Sequence, residues 1–245
     1  MKALLLSAGL GTRLRPVTNN IPKCLVDING RPLLDYWVSM LCADGVRPLL
    51  VNLHYMADKV LDYIETSGCK KFIETVSESE LLGTAGTLLK NRDFFGEEPL
   101  MLVHADNLSK FDVRAFISAH TNRPTGCEMT MMTFTTTSPE SCGIVDVDER
   151  NVVVGFYEKV KNPPGNLANG AVYILEPSIF VFLESLKKNV IDFSTEVLPR
   201  YIGRIATFHN GVYHRDIGTL ESLLTARDEF PLVENPNPRT VGRCL

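Results

Sequence analysis

Residues 2 to 7 (KALLLS) form a short apolar run that stops at Ala8-Gly9-Leu10-Gly11. Such a run is the pattern of a buried strand feeding a glycine turn. Apolar positions at helical spacing from Leu33 to Cys42 predict a helix, with a strand at 48–53, a helix near 57–66 and a strand near 71–76 after it. A further helix is expected to start after the Gly83-Thr84-Ala85-Gly86 turn. Residues 99–105 (PLMLVHA) read as a continuous apolar strand ending at Asp106, and 112–120 (DVRAFISAH) as an amphipathic helix with Asp112 at its start. This β-α alternation implies a mostly parallel sheet covered by helices on both faces.

From about residue 127 the pattern changes. CEMTMMTF, GIVDVDE, NVVVGFYEK and LANGAVYIL succeed one another as strand-like segments separated by turn-formers, which predicts antiparallel additions to the sheet. Asp146-Val147-Asp148 precedes Glu149-Arg150-Asn151 between two such segments, so a polar hairpin turn is favoured there over a metal-binding D-x-D. Helices at about 177–187 and 194–202, a strand pair across 204–217 and a helix at 219–229 complete the pattern. One domain over 1–230 is expected, and the proline-rich 231–245 should form an irregular tail. Trp37, with Tyr36 and Met40 at helical spacing, is read as core.

Composition changes this picture little. With 245 residues, 44% hydrophobic and 22% charged, the chain is an ordinary globular one, which excludes disorder and fibrous repeats. Its net charge of −4 argues against a general nucleic-acid binder, so any phosphate site must be local. The six cysteines are scattered without a C-x-x-C pair, which argues against a zinc site, and no apolar run is long enough for a signal core or a membrane span. A cytoplasmic protein with reduced thiols is expected.

The glycine turn carries the chemistry. Gly9-x-Gly11 lacks the third glycine of a dinucleotide fingerprint, having Leu14 in its place, and no Walker pattern is present. The turn leads instead into Thr12-Arg13-Leu14-Arg15-Pro16 and then Pro22-Lys23. Backbone N–H groups of a glycine loop approach phosphate oxygens closely, and Arg13 and Lys23 add two cations on the same stretch, as a triphosphate requires.

The opening stretch SAGLGTRLRPVTNNIPKCLVDINGRPLL resembles the sugar-1-phosphate nucleotidylyltransferases, the family of mannose-1-phosphate guanylyltransferases and glucose-1-phosphate thymidylyltransferases. The resemblance continues in order through LLGTAGTL (81–88), HADN (104–107), CGIVDVDE (142–149), YEKVKNPP (157–164), ANGAVYIL (168–175), FSTEVLP (193–199) and RDIGT (215–219). It departs at Ala105, where the family usually has Gly, and at Cys24, where it usually has Pro, and neither change removes a charge.

The resemblance implies a Rossmann-like, doubly wound α/β fold and attack by a sugar-1-phosphate oxygen on the α-phosphorus of a nucleoside triphosphate, releasing pyrophosphate. Ala8, Gly9, Gly11, Thr12, Gly83 and Thr84 would line the nucleotide, and Arg13 and Lys23 would hold the β- and γ-phosphates. Asp106 and Asp216, each at a strand end, would hold Mg²⁺, which prefers few protein ligands and several waters; the bland alternative is a cap or turn aspartate. Lys159 would meet the sugar phosphate, with Glu158, Asn169 and Gly143 lining the sugar pocket; the alternative for Glu158-Lys159 is an exposed charged pair. None of the five histidines is assigned to catalysis.

GTP is the expected nucleotide, and a GDP-hexose or GDP-heptose such as GDP-mannose the expected product. Glu78 stands where thymidylyl- and uridylyl-transferring relatives tend to carry Gln, and a carboxylate accepts both N1–H and N2–H₂ of guanine. CTP is the chief rival, dTTP and UTP the next, and a solvated loop carboxylate the bland alternative for Glu78. Three other readings stand beside the main one: a nucleotide-sugar-dependent glycosyltransferase, a catalytically silent nucleotide-sugar sensor, and a cytidylyltransferase of a non-sugar phosphate such as phosphocholine. The partners expected are the triphosphate and the sugar phosphate, with no nucleic acid or membrane, and a homo-oligomer is allowed.

Overall fold

The computed structural model describes residues 1–234, with side chains through Phe230. The chain divides into two compact units. The first unit comprises Lys2–Glu80, His104–Phe111 and the described residues from Val212 to Glu234; the second comprises Leu81–Val103 and Asp112–Gly211.

The first unit is built on three parallel strands. Lys2–Leu6 pairs with Leu49–Leu53, which pairs with Ile73–Ser77. The register sets Leu4 beside Leu50 and Leu50 beside Glu74. Leu49–Leu53 is buried at every residue, as a strand covered on both faces must be. Asn52 is the polar exception: its side-chain oxygen accepts the Ser7 N–H at 2.7 Å, which fixes where the strand ends and the glycine turn begins. Helices Leu33–Ala43, Ala57–Thr66 and Leu220–Glu234 belong to this unit.

Its core gathers Leu14, Val26, Ile28, Leu33, Tyr36, Leu108, Ile217, Leu223, Ala226 and Phe230. Each such aliphatic or aromatic side chain taken from water contributes roughly 1.5–3 kcal/mol. Trp37 is core, as its spacing predicts, and its indole N–H donates to the Asn107 carbonyl at 2.7 Å.

The second unit is mainly antiparallel. Leu167–Leu175 pairs antiparallel with Leu100–His104, with Met129–Thr135 and with Gly143–Val147. Val153–Glu158 extends Gly143–Val147 antiparallel, and Ile205–His209 joins Met129–Thr135 in parallel. The expected polar hairpin is present: Asp148 Oδ1 accepts the backbone N–H of Arg150 and of Val152, both at 2.9 Å. The helix Val113–Thr121 starts as its sequence predicts, with the Asp112 carboxylate accepting the Ala115 N–H at 2.8 Å.

Three expectations are corrected. The helix expected after Gly83-Thr84-Ala85-Gly86 instead begins at Gly83 and runs to Lys90. Glycine's low helix propensity reads as a turn, but tertiary packing demands these glycines. A Cβ on Gly83 would lie 2.5 Å from the Ile191 carbonyl oxygen, and one on Gly86 would lie 2.3 Å from that of Asn189.

The strands across 204–217 form no pair with each other: Ile205–His209 joins the second unit's sheet. Tyr213–Asp216 pairs antiparallel with Asn107–Lys110, a short polar strand the hydrophobic pattern did not announce. The helix expected at 219–229 continues to Glu234, so the first four residues of the expected tail are helical. The remainder of that tail, 235–245, lies outside the described residues.

Candidate functional site

In the first unit the glycine turn leaves the end of Lys2–Leu6 and is shaped by its own residues. Gly11 holds φ of 60°, and a Cβ there would press on Thr18 Cγ2 at 3.0 Å and Lys23 Cβ at 3.2 Å. Glycine is therefore required by conformation and by space. The Thr18 hydroxyl donates to the Gly11 carbonyl at 2.7 Å, and Leu14, buried, ties the adjoining 3-10 turn to the core. Ala8 is buried, whereas Gly9 and Thr12 are exposed. A Cβ on Gly9 would meet no described atom within 4 Å, so internal packing does not explain this glycine.

Two short strands bring the carboxylates together. Asp106 does not end the apolar strand: Leu100–His104 closes two residues before it, and Asp106 occupies the turn into Asn107–Lys110. The Ala105 N–H donates to the Leu6 carbonyl at 3.1 Å, which fastens that turn beside the start of the glycine loop. Asp216 ends Tyr213–Asp216 as expected, and the register sets it opposite Asn107. Between the two carboxylates stands the Lys23 ammonium, 2.8 Å from Asp106 Oδ2 and 3.4 Å from Asp216 Oδ1. The Lys23 side chain is only 6% exposed, while that of Arg13, 3.9 Å from Asp216, is 69% exposed.

Burial alone would raise the Asp106 carboxyl, but the charges of Lys23 and His104 outweigh it and hold Asp106 below the ordinary carboxylate value. His214, half-buried, is pushed down to about 4 by desolvation against the pull of Asp106, and so is neutral near pH 7. Cys24 is buried, and its thiol is raised to about 12 by desolvation, so this departure from the family pattern leaves the charge of the site unchanged. Glu78 comes directly after Ile73–Ser77 and is 4% exposed, unlike exposed Glu80. Its backbone is held at both ends, the N–H donating to Leu53 and the carbonyl meeting His54 Nδ1, both at 2.8 Å. The bland alternative of a solvated carboxylate fails for Glu78.

Among the described residues, no group of three or more His, Cys, Asp or Glu is arranged to hold a metal ion. Asp106 and Asp216 are a two-carboxylate set with oxygen donors only. That fits a Mg²⁺ ion that keeps waters and phosphate oxygens, and does not fit an all-protein cage for zinc.

The second unit gathers the residues expected for the sugar. Glu158 pairs in register with Gly143, and a Cβ at Gly143 would fall 2.6 Å from Glu158 Oε2 and 2.9 Å from the Phe156 ring. Lys159 adopts φ of 50°, its N–H donates to Cys142 at 3.0 Å, and its ammonium lies 3.3 Å from Glu158 Oε1. Asn169 sits at an irregularity in Leu167–Leu175, where its carbonyl accepts the Ala171 N–H at 2.9 Å and its amide donates to Tyr173 at 2.7 Å.

Thr84 accepts the Phe193 N–H at 2.7 Å, and the Phe193 ring lies 4.7 Å from that of Tyr173. Gly83 packs closely on the Ile191 backbone, where a Cβ would lie 2.5 Å from the carbonyl oxygen, so both expected nucleotide residues of this segment lie against residues 189–193.

Sequence reasoning missed Gly218, Asn52 and Tyr173. A Cβ on Gly218 would strike Asp216 Oδ2 at 2.6 Å and approach Arg13 Nη2 to 3.3 Å. The glycine two residues after the strand-end aspartate in RDIGT has a steric reason to be there that only the folded chain displays.

The nucleotidyl transferase family model matches residues 2–231. The chain belongs to the nucleotidyl transferase family. It is 34% identical over 206 residues to the probable mannose-1-phosphate guanylyltransferase 1 of Oryza sativa subsp. japonica, covering 82% of this chain and 56% of that one. The chain thus spans about half the length of the first curated relatives it matches.

A Bacillus anthracis structure, provisionally named a glucose-1-phosphate thymidylyltransferase and in complex with a sucrose, superposes with a TM-score of 0.86 at 20% identity. The match covers 100% of this chain and 98% of that one, and it shows the fold: a mostly parallel α/β architecture with antiparallel additions, as expected. HddC from Yersinia pseudotuberculosis, complexed with GMP-PN, gives a TM-score of 0.78 at 27% identity, covering 94% and 99% of the two chains.

Proposed function

We propose that this protein transfers a nucleoside monophosphate from GTP to a sugar 1-phosphate of the mannose or heptose type, giving a GDP-sugar and pyrophosphate. The observation that carries the reading is the cluster of Arg13, Lys23, Asp106 and Asp216 on the loop and ribbon beside an open glycine turn. Two polyanions react only when their charge is neutralised and the attacking oxygen is aligned with the leaving pyrophosphate.

Gly9, with no internal reason to be glycine, leaves room for a phosphate against the backbone. Arg13 and Lys23 then neutralise the pyrophosphate as it leaves. Asp106 and Asp216 would hold Mg²⁺, which polarises phosphate oxygens when bound. In the second unit Lys159 carries the charge for the sugar phosphate, Glu158 accepts sugar hydroxyl hydrogens, and Asn169 has one N–H left to donate once Tyr173 has taken the other.

GTP is favoured on two counts. The relatives include mannose-1-phosphate guanylyltransferases, and HddC is described with GMP-PN. Buried Glu78 is an acceptor-only group when ionised, suited to the paired donors of guanine. A cytoplasmic setting, with Cys24, Cys42, Cys69, Cys127 and Cys142 free, belongs to the same reading. Among the described residues no helix is long and apolar enough to cross a membrane.

The test is pyrophosphate release from each nucleoside triphosphate with a panel of sugar 1-phosphates, with and without chelator. Release that needs GTP, a sugar 1-phosphate and free divalent metal together is expected. Release from GTP without any sugar phosphate, or undiminished with chelator, would overturn the reading.

A further inference from the structure

The Lys23 ammonium occupies the space between the two carboxylates that would hold the metal. It lies 2.8 Å from Asp106 and 3.4 Å from Asp216, with its side chain almost wholly buried. Lys23 is anchored in a 3-10 turn, where the Val26 N–H donates to its carbonyl at 3.1 Å, so the backbone is fixed and only the flexible four-carbon stem can move. Two aspartates held beside each other by the pairing of Asn107–Lys110 with Tyr213–Asp216 would repel one another without a cation between them.

We infer that Lys23 is a built-in counterion that holds the acidic pair in order until a divalent metal arrives, and that the metal displaces its ammonium from the carboxylates. The displaced ammonium is then free to meet the phosphates that accompany the metal. This rests on the assignment of Asp106 and Asp216 as the metal pair.

Displacement has a measurable consequence, because a metal that must compete with an internal cation binds with an apparent affinity reduced by the fraction of time the site is free. Removing the ammonium should strengthen metal binding, although Lys23 belongs to the catalytic machinery and its loss should cripple turnover.

The experiment is titration with Mn²⁺ alone, free ion being read by electron paramagnetic resonance, on the wild type, Lys23→Met, Lys23→Gln and Asp106→Asn. Mn²⁺ should bind Lys23→Met and Lys23→Gln at least about fivefold more tightly than wild type, the gain expected when the ammonium holds the site about four-fifths of the time. Asp106→Asn should lose the site. In the wild type, the Lys23 ammonium ¹⁵N resonance, sheltered in the ion pair, should broaden into exchange with water on saturation with Mg²⁺; this measurement needs no variant to fold.

Neutral variants that bind Mn²⁺ no more tightly than wild type, or a Lys23 resonance unmoved by saturating Mg²⁺, overturn the displacement and leave the metal pair standing. Binding that persists in Asp106→Asn, or no binding by any of the proteins, overturns the metal pair and the displacement with it.

Discussion

At the scale of single residues, the site depends on charges whose positions are set by backbone. Asp106 and Asp216 face Lys23 because a two-strand ribbon ends at one and begins beside the other. Asp106→Asn and Asp216→Asn should each reduce kcat by at least about a hundredfold, the scale of losing a principal electrostatic stabiliser; steady-state pyrophosphate release checks this, and near-normal turnover would remove either residue from the metal site. Lys159→Met should raise KM for the sugar 1-phosphate at least about tenfold and leave nucleotide affinity nearly unchanged, because its ammonium pairs with Glu158, the carboxylate expected for the sugar hydroxyls. Equal losses for both substrates would contradict that placement.

These residues were legible in the sequence because charged motifs keep their order along the chain. Gly218 was not singled out, since its reason is a steric one, the 2.6 Å approach of its missing Cβ to Asp216, and sterics across a turn leave no periodic mark.

The elements that hold these residues were read unevenly. Apolar strands such as Leu49–Leu53 and Leu100–His104 announce themselves by continuous burial. Asn107–Lys110 does not, being short and polar, and its partner Tyr213–Asp216 lies about a hundred residues away, beyond any local pattern. The glycines of the 83–86 segment likewise answer to a distant partner. Gly86→Ala places a methyl group 2.3 Å from the Asn189 carbonyl and should destabilise the protein by about 1–3 kcal/mol, as overpacking against backbone does; denaturant midpoints would show it, and an unchanged midpoint would mean the 189–193 segment yields freely.

The helix Val113–Thr121 carries a second measurable feature. His120 is buried, meeting Thr130 Oγ1 at 2.9 Å and Glu176 Oε1 at 3.2 Å beside Arg123. Desolvation, with Arg123 adding to it, lowers its pKa from 6.5 toward about 4 against the opposing pull of Glu176. The unfolded chain therefore takes up this proton first. The contribution to stability is complete above about pH 6.5 and is lost as the pH falls toward about 4. Tm should decline through that window, and His120→Gln should flatten the decline; an identical slope in the variant would assign the acid sensitivity elsewhere.

At the scale of the whole molecule, the change of pattern near residue 127 was a sound guide. The first unit carries three parallel strands of the β-α alternation, and the second carries the antiparallel segments together with the fourth strand of the alternation, Leu100–His104, which pairs antiparallel with Leu167–Leu175. Most candidate residues divide in the same way, with the phosphate loop, acidic pair and Glu78 in the first unit and Gly143, Glu158, Lys159 and Asn169 in the second, but Gly83 and Thr84, expected at the nucleotide, also lie in the second. What pattern could not supply was the assignment of Ile205–His209 and Tyr213–Asp216 to different units, because adjacent strands of similar composition read as a hairpin.

Guanylyl transfer to a sugar phosphate is the activity proposed for this protein. Its most direct test mixes GTP, CTP, UTP, dTTP and ATP at equal concentration with mannose 1-phosphate, Mg²⁺ and the protein, and resolves the nucleotide sugars by mass. GDP-mannose is the dominant product expected, with matching pyrophosphate. A dominant dTDP- or UDP-sugar would contradict the role of Glu78, and no nucleotide sugar from mannose 1-phosphate or from a heptose 1-phosphate would contradict the proposed reaction.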